Sequence, residues 1–264
     1  MTRATLALAL TLLAPPALAF DPPARATLLP GWRESDGRHI AAVRIALDPG
    51  WKTYWRAPGD GGIPPGFDWT AANLATAAVH FPVPTVFDQG GLRSIGYKDQ
   101  VVLPVILTPK DPAAPIRGDL TLSIGVCEIV CVPLDVTLPV DLPVDLPAGG
   151  APDPAIAAAL RDRPATAAEA GVGPVACEVA PIADGLRLTA RIPVAAPARP
   201  DAVAVETGDP AVWVSDTEVT RDGGTLVAAT DLVPGSGGAF LLDRSRLRFT
   251  ILSAGTAVEV RGCG

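Results

Sequence analysis

The stretch Ser123-Ile124-Gly125-Val126-Cys127-Glu128-Ile129-Val130-Cys131-Val132-Pro133 decides how the chain is read. Leu120, Leu122 and Ile124 alternate with polar neighbours, the period of a strand with one face in a core. A second apolar run spans Leu134 to Val140, and the two cysteines stand between the runs. A pair this close can close a small disulfide, bind a metal or do neither. In the chain-entropy model so short a ring stabilises the fold by only about 2 kcal/mol. That is little for a staple. Cycling between dithiol and disulfide is therefore the favoured reading, with a passive disulfide and metal binding as alternatives.

The chain has 264 residues, 48% of them apolar, enough for one or two domains with a real core. Its 29 prolines and 26 glycines exceed a fifth of the sequence and favour many short elements joined by turns. At the N-terminus, Arg3 precedes an apolar run from Thr5 to Ala14, and Ala17-Leu18-Ala19 has the form of a cleavage site. Residues 1–19 are expected to be a signal peptide, with the mature chain starting near Phe20. An uncleaved anchor is the alternative. The run is too short to span a bilayer, and no later segment offers about 18 uninterrupted apolar residues, so the mature chain is expected to lack a membrane span. Export would place the mature chain in an oxidising compartment, where disulfides persist. Without residues 1–19 the chain keeps 20 basic and 28 acidic side chains, a net charge of −8. Such acidity argues against nucleic acid or an anionic membrane as partner.

In chain order, Phe20 to Leu29 reads as a Pro/Ala-rich lead-in. His39 to Leu47 reads as a half-buried strand, with Ala41, Val43, Ile45 and Leu47 on its apolar side. Trp51 to Arg56 is aromatic and β-prone, whereas Ala57 to Gly66 is too rich in proline and glycine for regular structure. Strands are expected near Ala77–Phe81, Val101–Leu107, Leu120–Val126 and Val132–Val140. The last should lie at a sheet edge, because Pro133 and Pro139 cannot donate to a ladder. Phe87 to Tyr97 reads as a glycine-containing surface loop. About seven strands in roughly 120 residues suit a β-sandwich.

A proline-rich linker is expected over Pro139–Pro154, then a brief helix, Pro154–Arg161, capped by Asp153. Strand patterns resume at Leu186–Ile192, Val203–Glu206, Val212–Val219, Leu226–Thr230, Leu247–Leu252 and Ala257–Val260. The expectation is an all-β chain of two β-sandwiches in tandem, residues 20–145 and 146–264, which the resemblance given below makes immunoglobulin-like. Joining Cys177 to Cys263 would close a loop of about 87 residues, worth about 4.6 kcal/mol in the entropy model. That pair is assigned as structural and Cys127–Cys131 as functional.

Other chemistry finds little support. His39 and His80 both fall in strand patterns, and Met1 is the single methionine. No zinc or methionine-rich copper site is expected. The sequence has no G-x-S-x-G elbow, P-loop or G-x-G-x-x-G, so no cofactor is expected. Gly59-Asp60-Gly61-Gly62 has no helix after it and reads as a turn.

The motif Gly50-Trp51-Lys52-Thr53-Tyr54-Trp55-Arg56-Ala57-Pro58-Gly59-Asp60-Gly61-Gly62-Ile63-Pro64-Pro65 is specific. With it go Phe67-Asp68-Trp69, Phe81-Pro82-Val83-Pro84, Ile95-Gly96-Tyr97, Val102-Leu103-Pro104-Val105, Cys127 and Cys131-Val132-Pro133. Together they resemble the N-terminal periplasmic domain of DsbD and, more closely, the same region of ScsB-type proteins, over about residues 30–145. The second half is more loosely similar to the second immunoglobulin-like domain of the ScsB region.

The resemblance implies a thiol:disulfide oxidoreductase of the protein-disulfide reductase type. It would take electrons from a membrane transporter of DsbD/CcdA type and pass them to a thioredoxin-like periplasmic protein. By position, Cys131 would form the mixed disulfide and Cys127 would resolve it. The family's aromatic-bearing cap loop corresponds to Asp88, Gln89, Gly90, Gly91 and Leu92. No aromatic stands there, which leaves Phe87 or Tyr97 to substitute. The family pair also has more residues between its cysteines. Family transporters continue into a transmembrane and a thioredoxin-like domain, neither of which is in this sequence. A separate membrane protein is therefore expected to supply electrons. The alternatives are a non-catalytic binding or scaffold module with structural disulfides, and Cu(I) handling by the thiol pair.

Overall fold

The structure, a computed structural model, describes residues 21–89, 91–146, 152–195, 200–235 and 240–264. The expected signal peptide, Gly90 of the expected cap loop and part of the expected linker lie outside the described residues.

Ten strands form the first sandwich: β1 (Ala24–Arg33), β2 (His39–Leu47), β3 (Lys52–Tyr54), β4 (Gly66–Trp69), β5 (Leu74–Val79), β6 (Thr85–Gln89), β7 (Leu92–Lys98), β8 (Gln100–Pro109), β9 (Ile116–Cys127) and β10 (Cys131–Leu142). One sheet runs β1-β2-β8-β5 and the other β10-β9-β3-β7-β6, with β4 also on β9. The inner faces follow the two-residue period. Ala41, Val43 and Ile45 of β2 and Leu103, Val105 and Leu107 of β8 pack with Leu120, Leu122, Ile124 and Val126 of β9 and with Trp55. All are buried, and each large aliphatic one contributes about 1.5–3 kcal/mol.

Helix α1 (Pro154–Arg161) starts where Asp153 accepts hydrogen bonds from the Ala155 and Ile156 amides. Its Ile156 clusters with Ile40, Ala42 and Val102. Strand β2 is thus covered on both sides, not half-buried as its sequence suggests.

The second sandwich holds β11 (Ala165–Thr166), β12 (Ala176–Ile182), β13 (Gly185–Pro193), β14 (Ala202–Glu206), β15 (Val212–Val214), β16 (Glu218–Asp222), β17 (Thr225–Pro234), β18 (Arg248–Ser253) and β19 (Thr256–Arg261). Its sheets run β11-β19-β18-β14 and β12-β13-β17-β15, with β16 also on β17. Leu188, Ile192, Leu226, Leu232, Phe249 and Ile251 form the core. The chain is all-β in two immunoglobulin-like sandwiches.

Three local expectations change. The lead-in before Leu29 is mostly strand, because β1 finds a hydrogen-bonding partner in β2. The glycine-containing stretch Phe87–Tyr97 is a hairpin rather than a surface loop: β6 and β7 pair from Thr85↔Gly96 to Gln89↔Leu92. Val212–Val219 splits into β15 and β16, both paired to β17. Strand β10 does lie at an edge and runs on to Leu142, so it takes in the start of the expected linker.

Cys177, at the start of β12, is bonded to Cys263 across 86 residues of sequence. The Cys177 amide donates to the Gly264 carbonyl, which ties the chain end to the core's edge. Replacing both cysteines by serine should lower unfolding free energy by about 2–5 kcal/mol, as for native bridges in exported domains. A urea titration of the double variant checks this; an unchanged midpoint would remove the bridge from the stability account.

Candidate redox site

Strands β9 and β10 are opposed without a break, from Leu142↔Ile116 through Val132↔Val126 to Cys131↔Cys127. Directly opposed residues share a face of the sheet. The register therefore brings the two sulfurs together at the closed end of the hairpin, where Glu128, Ile129 and Val130 make the loop. They are joined as a disulfide, with Cα atoms 4.1 Å apart.

The two sulfurs sit in unequal surroundings. Cys127 is 1% exposed, while Cys131 is exposed. The sheet order supplies the reason. Strand β9 has β3 on its other side, where Lys52 stands opposite Cys127, whereas β10 is an edge. Beside Cys131, Ile129 and Val130 project into solvent at 87% and 68% exposure. Glu128 is also exposed, its carboxylate lying against Gly50 in the turn before β3.

Alternation along β9 sends Val126 and Ile124 into the core and Cys127 and Gly125 to the opposite face. Tyr54 of β3 covers that face. A Cβ on Gly125 would lie 3.0 Å from the Tyr54 ring and 2.8 Å from the Ile63 Cβ. A Cβ on Gly62 would lie 2.8 Å from the other side of the same ring. The ring is thus held between two glycines that leave it room. Its hydroxyl lies 3.2 Å from Cys131 Sγ and donates to the Gly61 carbonyl at 3.3 Å. Burial pushes the Tyr54 phenol up, so it stays protonated and able to donate.

The aromatic motif divides its labour. Tyr54 meets the disulfide, Trp55 is fully buried in the core, and Trp51 packs at the core's margin. The expected turn at Gly59–Gly62 forms, with the Gly62 amide donating to the Gly59 carbonyl.

Of the expected cap residues, Asp88 and Gly91 meet at the β6–β7 tip, where the Gly91 amide donates to Asp88. Gln89 and Leu92 end the two strands. Phe87, just before them, is buried, and its ring centre lies 5.2 Å from Lys52 Nζ and 5.1 Å from Lys98 Nζ. Cys131, Cys127, Lys52 and Lys98 thus stand in one row across four strands. Burial, then the neighbouring Lys98, lowers the Lys52 ammonium's pKa. Tyr97 lies in the core and donates to the Pro82 carbonyl, so it is not the aromatic beside this row. Among the described residues no three His, Cys, Asp or Glu side chains converge as a metal site would need.

Sequence reasoning missed Gly125, Gly62 and Ile63 as parts of the site. One signal was legible: a glycine inside an apolar strand marks a close approach.

Residues 25–141 match the family model described as thiol:disulfide interchange protein DsbD, N-terminal. The solved structure of the N-terminal periplasmic domain of ScsB from Proteus mirabilis is 24% identical, with a TM-score of 0.66. The alignment covers 94% of this chain and 97% of that one, so the likeness extends over both sandwiches. No curated protein matches the chain. The resemblance read from the sequence holds, and it supports a thiol:disulfide interchange module in the first sandwich.

The glycine at 125 gives a direct check on the Tyr54 seat. Gly125→Val should force the ring aside and cost about 1–3 kcal/mol, as overpacking does. Chemical denaturation measures it; a variant as stable as the parent would show that the ring is not held there.

Proposed function

We propose that the protein is a periplasmic thiol–disulfide exchange protein that relays electrons through Cys131 and Cys127. The observation that carries this is the asymmetry of the pair: an exposed cysteine at an edge hairpin, bonded to a buried one. Exchange needs one sulfur open to attack and a second close enough to resolve the intermediate. The apolar tip, Ile129 and Val130, offers a partner surface beside the open sulfur.

In the loading step a thiolate of the membrane transporter attacks Cys131 Sγ. The mixed disulfide forms as the Cys131–Cys127 bond breaks, and Cys127 leaves as a thiolate that takes a proton from solvent. The transporter's second thiolate then attacks its own sulfur in the mixed disulfide and releases Cys131. Two electrons have arrived, Cys127 has taken one proton from solvent, Cys131 is left as a thiolate, and the transporter's two thiolates have become a disulfide. In the unloading step the Cys131 thiolate attacks the disulfide of a thioredoxin-like protein. Cys127 then attacks Cys131 and frees the partner as a dithiol. The Tyr54 hydroxyl is placed to donate to whichever charge develops on Cys131.

Opening the bond costs the fold little, because the ring is short and the β9–β10 ladder is held by the pairs below it. On this reading residues 20–145 are the working domain, residues 146–264 support it, and residues 1–19 direct export. Family type and the expected signal support the periplasmic location.

Two measurements test the proposal. Cys127→Ala should accumulate a mixed disulfide with a thioredoxin-like partner through Cys131, while Cys131→Ala should not. A redox titration should place the Cys127–Cys131 couple above about −300 mV, the range below which structural bonds lie. No trapped species together with a potential below that value would leave a scaffold with two passive disulfides.

A further inference from the structure

The second sandwich holds the segment after Tyr54 through Arg56. Arg56 follows Tyr54 and Trp55 directly and begins the loop that carries Gly61, Gly62 and Ile63 against the Tyr54 ring and Gly125. Its guanidinium stacks on Trp55, 4.1 Å from the ring centre. Its Nε lies 3.0 Å from Glu206 on β14, and its Nη2 lies 2.9 Å from Glu259 on β19. The three side chains are only 17%, 20% and 18% exposed. Arg248 and Arg261 also reach these carboxylates, at 3.6 Å and 2.9 Å.

A second tie lies beside the first. Arg93 on β7 lies 3.5 Å from Asp216 of the second sandwich. Two residues on, the Ile95 amide donates to the Pro58 carbonyl of the covering loop, and the Ile95 carbonyl accepts from the Trp55 amide. Both ties hold the root of the loop. Beyond the root, Ala57 to Pro65 borders a cleft of about 810 Å³ whose far wall is Ala202–Thr217. The loop therefore has the Tyr54 ring on one side and open space on the other.

We propose that Arg56 is a positioning residue: through Glu206 and Glu259, the second sandwich holds the covering loop, and with it Tyr54, against Cys131. This rests on the Cys127–Cys131 bond being the one that exchanges. Ion pairs this shielded differ from surface pairs. Removing one partner leaves a charge without compensation in a poorly solvated place. Loss of the carboxylates therefore loosens Arg56, and the loop lifts into the cleft, drawing Tyr54 off Cys131 Sγ and off the sheet face where Cys127 is buried. Lysine in place of Arg56 keeps the charge but loses the fork that spans two carboxylates and the flat face on Trp55.

The test uses the full chain and dithiothreitol as reductant. The reduction rate of each disulfide is followed by quenched alkylation and peptide mass. In Glu206→Gln/Glu259→Gln the Cys127–Cys131 bond should be reduced about fivefold faster or more, the lower end of coupling between sites. The Cys177–Cys263 rate should stay at its parent value. Arg56→Lys should move the first rate in the same direction, and it carries the test if the double variant shows no cooperative melt. An unchanged Cys127–Cys131 rate would overturn the proposal. So would equal acceleration of both bonds, which marks general loosening. Neither outcome depends on a partner. A failed trapping experiment would remove the exchange function and leave this kinetic result standing.

Discussion

Everything at the site follows from the register of one hairpin. Strands β9 and β10 are opposed pair by pair from Leu142↔Ile116 upward, and the ladder ends on Cys131↔Cys127. A slip of one residue would turn every side chain of β10 to the other face and separate the sulfurs. The slip is opposed by the core: Leu120, Leu122, Ile124 and Val126 all point inward and are fully or nearly fully buried. Hydrophobic burial far from the sulfurs thus sets their alignment. The bond itself contributes little to that alignment, which suits a bond that opens and closes.

The sheet order converts this symmetric pair into an asymmetric one. A strand inside a sheet is covered by neighbours, and a strand at its edge is not. Placing β9 inside and β10 outside buries one sulfur and leaves the other accessible without any special pocket. Prolines 133 and 139 fit the edge position, where the missing donors break no ladder. The other disulfide is placed differently. Cys177–Cys263 closes a long loop at the margin of a core, where it holds the end of the chain.

The two sandwiches are not beads on a string. Ala202, Ala204, Leu252 and Ala257 of the second join the buried cluster of the first. Around that apolar contact the Arg56 carboxylate network adds direction, since its fork fixes which surfaces meet. The covering loop starts at this junction, so interdomain packing and site geometry share residues. A single chain segment, Tyr54-Trp55-Arg56, serves the disulfide, the core and the domain junction in turn.

The amino-acid order alone determined the all-β class, the short helix with its Asp153 cap, the local pairing of cysteines and the family resemblance. These depend on period-two alternation, caps and spacing, which are local. Strand existence was legible where one face is apolar, as in Leu120–Val126. It was not legible for β1 or for β6 and β7, whose stability comes from a neighbour rather than from their own pattern. Tertiary structure decided which cysteine is buried, because edge and interior are properties of a sheet and not of a strand. It also decided the fates of Trp51, Tyr54 and Trp55, identical in kind by sequence but sent by strand alternation to different sides. The ion pairs from Arg56 to Glu206 and Glu259 join residues 150 and 203 positions apart, and no local signal marks partners at that distance.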